Sequence, residues 1–347
     1  MTRAFHLILF FTAFTLALKS QPRNYIFKNG KEGYRMYRIP ALVQTKSGLL
    51  LAFCEGRQSL RDHGNIDLVM KTSADSGKTW GALQLIYSDG KNTCGNPSPV
   101  VESATGVILL TATINNRSVI VFKSSDEGKH WSNPMDVTAS VKPSDWNWYA
   151  TGPVHGIQIS QGVNKGRIVV PCNHTLKNSS RHISHIIYSD DMGTSWHLGG
   201  SVNTEGTDEC TVAELPEGNL LLNMRNTDRQ LPCRKTSISK DGGLSWSTPA
   251  FDSTLIEPVC QGALLSHPQK RNVLCFTNPA NSKVRKDLTL RFSFDSGKSW
   301  KKEILIQKGP CAYSDITLIN HDDLYCIYET GKLWPYGGIA GKKISAH

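Results

Sequence analysis

One eight-residue element, Ser-x-Asp-x-Gly-x-x-Trp, occurs five times in the chain, starting at Ser73, Ser124, Ser189, Ser239 and Ser293. Its tryptophans, Trp80, Trp131, Trp196, Trp246 and Trp300, are spaced by 51, 65, 50 and 54 residues, the length of one four-stranded unit in a radial array. The element is a turn: the Asp carboxylate accepts backbone N–H groups, and the Gly two residues on supplies a left-handed conformation. The Trp is expected to bury the turn against its own sheet. Ahead of the boxes run hairpin signals, apolar strands entered through Gly turns, as in SGLLLAF from Ser47, TGVILLTA from Thr105, KGRIVVP from Lys165 and EGNLLLNM from Glu217. No stretch has convincing helical amphipathicity. Five boxes and a box-less terminal stretch predict an all-β fold, a six-bladed β-propeller. The last blade would combine the strand around Asp323 to Glu329 with an N-terminal strand, which closes the ring and hides its sheet edges. The box aspartates are read as turn structure, remote from any chemistry.

A basic start and the apolar run Ala4 to Leu18 read as a signal peptide cleaved near Ser20, leaving residues 21–347 as a single propeller domain. No second long apolar run occurs, so no transmembrane segment is expected in the mature chain. Three sequons, at Asn116, Asn173 and Asn178, fit passage through the secretory pathway to an extracellular or lysosome-like lumen. The nine cysteines are odd in number, so disulfides formed there would leave at least one thiol over; none has the CxxC spacing of a metal site. The net charge of +10 suits acidic substrates or a solvated basic surface. No basic run with interleaved aromatics points to nucleic acid.

Tyr37-Arg38-Ile39-Pro40 opens the first strand. After it come Gly56-Arg57, then Arg61-Asp62, DECTVAELPEGNLLLNMRN from Asp208, VRKDLTLRFSFDSGKSW from Val284, AYSDIT from Ala312 and YETG from Tyr328. In that order, and with the five boxes, these motifs resemble the sialidase family from about Tyr34 to about Glu329. The implied activity is an exo-α-sialidase acting on terminal sialic acids of glycoproteins, gangliosides and oligosaccharides. A sialic acid bears a carboxylate on its anomeric carbon, and arginine grips a carboxylate with a planar fork whose charge does not titrate away. By the resemblance the carboxylate ligands are Arg38, Arg225 and Arg285, with Glu329 bracing the first.

The resemblance makes Tyr313 the nucleophile and Glu209 its base. A neutral phenol avoids the repulsion that a carboxylate nucleophile would meet beside the sugar's own carboxylate, and at its ordinary pKa it needs a base within reach. Asp62 matches the acid/base, and Arg57 a pocket arginine. Asn96 stands where many members carry Asp before Pro-Ser, which bears on fine specificity. The segment Trp146 to Pro153 is either a substrate-facing loop or a buried inter-blade segment. His63, beside Asp62, is read as an exposed loop residue. No metal or other cofactor is needed for this chemistry. Two further readings remain: a trans-sialidase, intermolecular or intramolecular, using the same covalent intermediate, and a sialoglycan-binding propeller without catalysis.

Overall fold

A computed structural model describes residues 23–345. The proposed signal peptide lies outside the described residues. The described residues are all-β and propeller-like, with one four-residue helix, Thr138–Val141, and one short 3-10 turn, Pro216–Gly218, among them. Antiparallel meanders follow one another: Met36–Gln44, Leu50–Arg57, Ile66–Ser73 and Gln84–Tyr87 form the first, and Cys94–Val101 through Met135–Asp136 the second. Two more run from Trp146–Thr151 to His197–Ser201 and from Thr207–Glu214 to Ala250–Ile256.

Hydrogen-bonded paths give five sheets, the last with seven strands, where six separate blades were expected. The cause is one continuous strand, Lys302–Leu318: residues 302–310 pair with Lys286–Ser293, while 311–318 pair with Asp323–Thr330. Closure uses an N-terminal strand, as expected, but indirectly. Tyr25–Lys28 pairs with Gly338–Ser345, which in turn pairs with Asp323–Thr330.

The boxes form the expected turns. In the first, Asp75 Oδ1 accepts Thr79 N at 2.9 Å and the Ser73 hydroxyl at 2.8 Å, and all five box glycines have φ between 76° and 91°. Their packing differs from the expectation, because box residues reach the neighbouring sheet. Trp80 lies against Tyr325 at 5.9 Å and Trp131 against Phe53 at 5.9 Å, and the Trp246 indole donates to Gly200 O at 2.9 Å. Trp300 packs at a tilt against Phe276 of its own sheet at 5.9 Å, while its N–H reaches Asp252 of the sheet before. A Cβ on Gly77 would fall 2.0 Å from the Tyr325 ring, so this glycine is also where the first and last meanders touch.

All nine cysteines are free and buried, so the disulfides that an oxidising lumen would permit are not formed. Each thiol fills a core position as a small apolar group. Burial pushes Cys260 up to about 11 and Cys275 up to about 12, which keeps them protonated and inert. The sequon at Asn173 is likewise structural: the residue is fully buried and its amide donates to Asp208 Oδ1 at 2.7 Å.

Candidate active site

In an antiparallel meander the start of the first strand and the end of the second lie at the same end of the sheet. The candidate residues occupy those positions. Arg38, Asn96, Glu209 and Tyr313 lie near the starts of inner strand stretches; Arg57, Arg225 and Glu329 lie near the ends of second strands, and Arg285 just before a third. They gather around one cavity of about 1070 Å³, lined by all of them except the fully buried Glu329. None of the box aspartates lines it.

Local irregularity aims these side chains. Inner-strand register shifts fall between Arg38 and Ala41, Gly95 and Ser98, Trp146 and Tyr149, Thr207 and Cys210, and Cys311 and Ser314. Such bulges redirect side chains out of strict alternation. Ile39 and Asn96 carry positive φ of 59° and 57°, a conformation that asparagine tolerates and a β-branched residue rarely adopts.

The three arginines surround Tyr313. The guanidiniums of Arg38 and Arg285 each lie 5.4 Å from its ring centre, and Arg225 Nη1 donates to its hydroxyl at 3.1 Å. The phenol donates a short hydrogen bond to Glu209 Oε1, and Glu209 Oε2 accepts Arg225 Nη1 at 2.6 Å. Burial would raise the Glu209 carboxyl, but Arg225 and the phenol's hydrogen bond outweigh it and hold the group below its ordinary value. Burial first, then Glu209, pushes the Tyr313 phenol well above its usual range. The resting pair is therefore a neutral phenol facing a carboxylate.

Glu329 Oε1 accepts Arg38 Nε at 2.6 Å and Ile39 N at 2.9 Å, and its Oε2 accepts Tyr313 N at 3.3 Å. It therefore ties the first arginine to the backbone of the tyrosine. Asp62 sits on the loop joining Leu50–Arg57 to Ile66–Ser73, with its side chain 80% exposed and bonded to Arg57 Nη1. Partial desolvation would raise its carboxyl, yet Arg57 and then Arg38 hold it below the usual carboxylate range. His63 is exposed and does not line the cavity.

The segment from Trp146 divides along the strand. Trp146 stacks on His174 at 3.3 Å and Tyr149 is fully buried, whereas Asn147 and Trp148 line the cavity.

Four contributors were not singled out as site residues from the sequence. Tyr336 accepts Arg285 Nη1 at 2.8 Å and lies under the Arg38 guanidinium at 4.1 Å, so it braces two arginines at once. Glu55, almost fully buried, accepts Arg57 Nε at 2.7 Å and Asn96 N at 2.9 Å. Asp208 and His182 form a further pair behind Arg225. Only Asp208 could have drawn notice, as the first residue of DEC.

The described residues hold no group of three or more His, Cys, Asp or Glu arranged to bind a metal ion, and no helix among them is long and apolar enough to cross a membrane.

Fold and site together define a class: an all-β, propeller-like chain whose inner strands converge on an arginine-lined pocket, with a tyrosine–glutamate pair in its wall. Comparison with known proteins agrees. The family model described as a BNR repeat-like domain matches residues 48–326. A sialidase from Micromonospora viridifaciens is 31% identical over 87% of this chain and 51% of its own length. An exo-alpha-sialidase from Arthroderma benhamiae is 30% identical over 76% of this chain and 68% of its own. Among solved structures, the Hadza microbial sialidase Hz136 superposes with a TM-score of 0.84 at 28% identity, covering 92% of this chain and 68% of that one. The chain belongs to the sialidase family. It spans about half the length of the Micromonospora relative.

Proposed function

We propose that the protein is an exo-α-sialidase that hydrolyses terminal sialic acids from glycoproteins, glycolipids and oligosaccharides with retention of configuration. The observation that carries this reading is the convergence of Arg38, Arg225 and Arg285 on one phenol that is already hydrogen-bonded to a buried carboxylate. Three fixed cations in a shared pocket match an anionic sugar, and the cost of their mutual repulsion is offset by Glu329, Glu209 and the Tyr336 ring.

In the proposed course the arginines hold the substrate carboxylate against the wall that contains Tyr313. Asp62, in protonated form, gives its proton to the departing glycosidic oxygen as that bond breaks. The Tyr313 oxygen forms a bond to the anomeric carbon while its proton passes to Glu209. Water, deprotonated by Asp62, then displaces the tyrosine, which recovers its proton from Glu209. Two displacements retain configuration. Asp62 is held as a carboxylate by Arg57 and Arg38, so a substrate carboxylate that occupies Arg38 weakens that hold and favours the acid form.

The test is Tyr313→Phe in a fluorogenic sialoside assay. Turnover is expected to fall by about a thousandfold or more, while the fold persists because Glu209 and Arg225 remain paired at 2.6 Å. Wild-type turnover in the folded variant would reject the nucleophile. Product analysis with a galactosyl acceptor separates hydrolysis from transfer, and absence of turnover in the parent would leave a binding propeller.

We also read the seven-stranded sheet as two blades sharing Lys302–Leu318, which makes six blades in one domain over residues 21–347; the change of pairing partner at Cys311 supports this. A leader over residues 1–20 and a secreted or lysosomal location are proposed on the apolar run alone.

A further inference from the structure

The connection from Ala250–Ile256 to Ala263–Ser266 crosses from one sheet to the next, and it carries a carboxylate that the mechanism does not use. Glu257 opens this connection and is fully buried, as is Arg234 on the strand Cys233–Ser239; the two pair at 2.8 Å. Neither lines the cavity. A buried ion pair adds little stability over well-packed apolar side chains, so its contacts matter more than its charge.

Both oxygens of the Glu257 carboxylate reach backbone that serves an arginine of the site. Oε1 accepts Asn226 N at 2.5 Å, and Asn226 directly follows Arg225. Oε2 accepts Arg234 Nη1 at 2.8 Å and Cys260 N at 3.4 Å. The N–H of Cys260 and the carbonyl of Val259 belong to one planar peptide group and point in opposite directions. Holding that N–H on Glu257 therefore aims the Val259 carbonyl outward, where it accepts Arg285 Nη2 at 2.8 Å. Arg234 fixes the next peptide as well, because the same Nη1 donates to Cys260 O at 2.7 Å. Its own guanidinium is anchored on Asn223, with Nε donating to Oδ1 at 2.6 Å.

Val259 carries the mark of this clamp. Its φ is 53°, a left-handed conformation that a β-branched residue rarely adopts. Such a conformation persists where its surroundings over-determine it, and here Glu257, Arg234 and Arg285 hold the peptides around it. Cys260 in turn packs with Ile39, Ala312 and Tyr313, so the connection is fixed against the wall that contains the phenol. Burial pushes the Glu257 carboxyl above its ordinary value, while Arg234 and, more weakly, Arg225 draw it down.

We propose that Arg234 and Glu257 are positioning residues that set the spacing of two arginines from different sheets: Glu257 fixes the backbone beside Arg225, and with Arg234 it orients the Val259 carbonyl that receives Arg285. This rests on the reading of both arginines as ligands of the substrate carboxylate. A carboxylate shared between two guanidiniums is sensitive to their separation, because each contact is directional.

The test compares the parent with Glu257→Gln and with the double variant Arg234→Gln, Glu257→Gln, which removes both charges so that none is left buried without a partner. In both, KM for a sialoside is expected to rise roughly tenfold while kcat changes by no more than about threefold, the pattern of lost ground-state binding. Melting temperatures are measured on the same samples. A folded variant that melts below the parent but keeps KM within about twofold of it has lost only a tie between sheets, and that result overturns the proposal. If Glu257→Gln does not fold, the double variant decides. Binding of free sialic acid by calorimetry gives a readout that needs no turnover. A parent that binds it, with variants about tenfold weaker, but that turns over no sialoside would uphold the positioning role and reject the hydrolase reading alone.

Discussion

Removing Glu329 tests how the pocket is held together. Its carboxylate is fully buried and meets Arg38 Nε at 2.6 Å, Ile39 N at 2.9 Å and Tyr313 N at 3.3 Å. In Glu329→Ala all three donors lose their acceptor, and Arg38 becomes a buried cation whose nearest remaining carboxylate, Asp62, is 3.8 Å away and exposed. Breaking a buried pair from one side costs about 3 to 5 kcal/mol. Ile39, held at φ 59° by this contact, adds a strained residue that is free to relax. At roughly 2 °C per kcal/mol for a chain of this size, the melting temperature should fall by about 6 to 10 °C. Because Arg38 is no longer fixed, KM for a sialoside should rise by about tenfold, the equivalent of one lost charged hydrogen bond. Glu329→Gln keeps an oxygen for Arg38 Nε, so it should lose less than half as much stability; it decides the matter if the alanine variant does not fold. Calorimetry and steady-state kinetics on both variants are the assays. An alanine variant that melts within 2 °C of the parent with unchanged KM would refute the bracing argument.

Two further outcomes follow from the geometry. Gly77→Ala places a methyl 2.0 Å from the Tyr325 ring at a backbone φ of 82°, and should cost about 3 kcal/mol in a denaturant titration without changing KM for the molecules that remain folded. His174 and His185 are buried against Trp146 and Tyr149; burial lowers His174 from 6.5 to about 3 and His185 further below its ordinary value. Both stay neutral when folded and take up protons when unfolded, so stability is intact above 6.5 and is lost as pH falls below it. Toward pH 5 the slope should approach about 1.4 kcal/mol per pH unit for each histidine, and a melting temperature that is level from pH 7 to pH 5 would contradict this.

The all-β, propeller-like arrangement could be read along the chain because its signal is local. Each box closes its own turn within eight residues, and the period of the tryptophans states the size of the repeating unit without any knowledge of its neighbours. The arginines, Tyr313, Glu209 and Asp62 were named through motif resemblance, which supplies identities but no distances. What the boxes touch was not legible: Trp80 meets Tyr325 of the closing meander, a partner separated from it by 245 positions. The same holds for the join between the last two meanders, since a strand that changes partners midway has the sequence of an ordinary strand.

The site itself belongs to the tertiary structure. Arg38 and Glu329 are 291 positions apart, and Tyr336, Glu55 and the His182–Asp208 pair matter only through what they touch across the cavity. Turn chemistry and hydrophobic alternation act between near neighbours and are written in the local sequence. The bulges that aim the inner-strand side chains, and the ion pairs that let three guanidiniums share one pocket, depend on strands brought together from distant parts of the chain, where no local pattern records them.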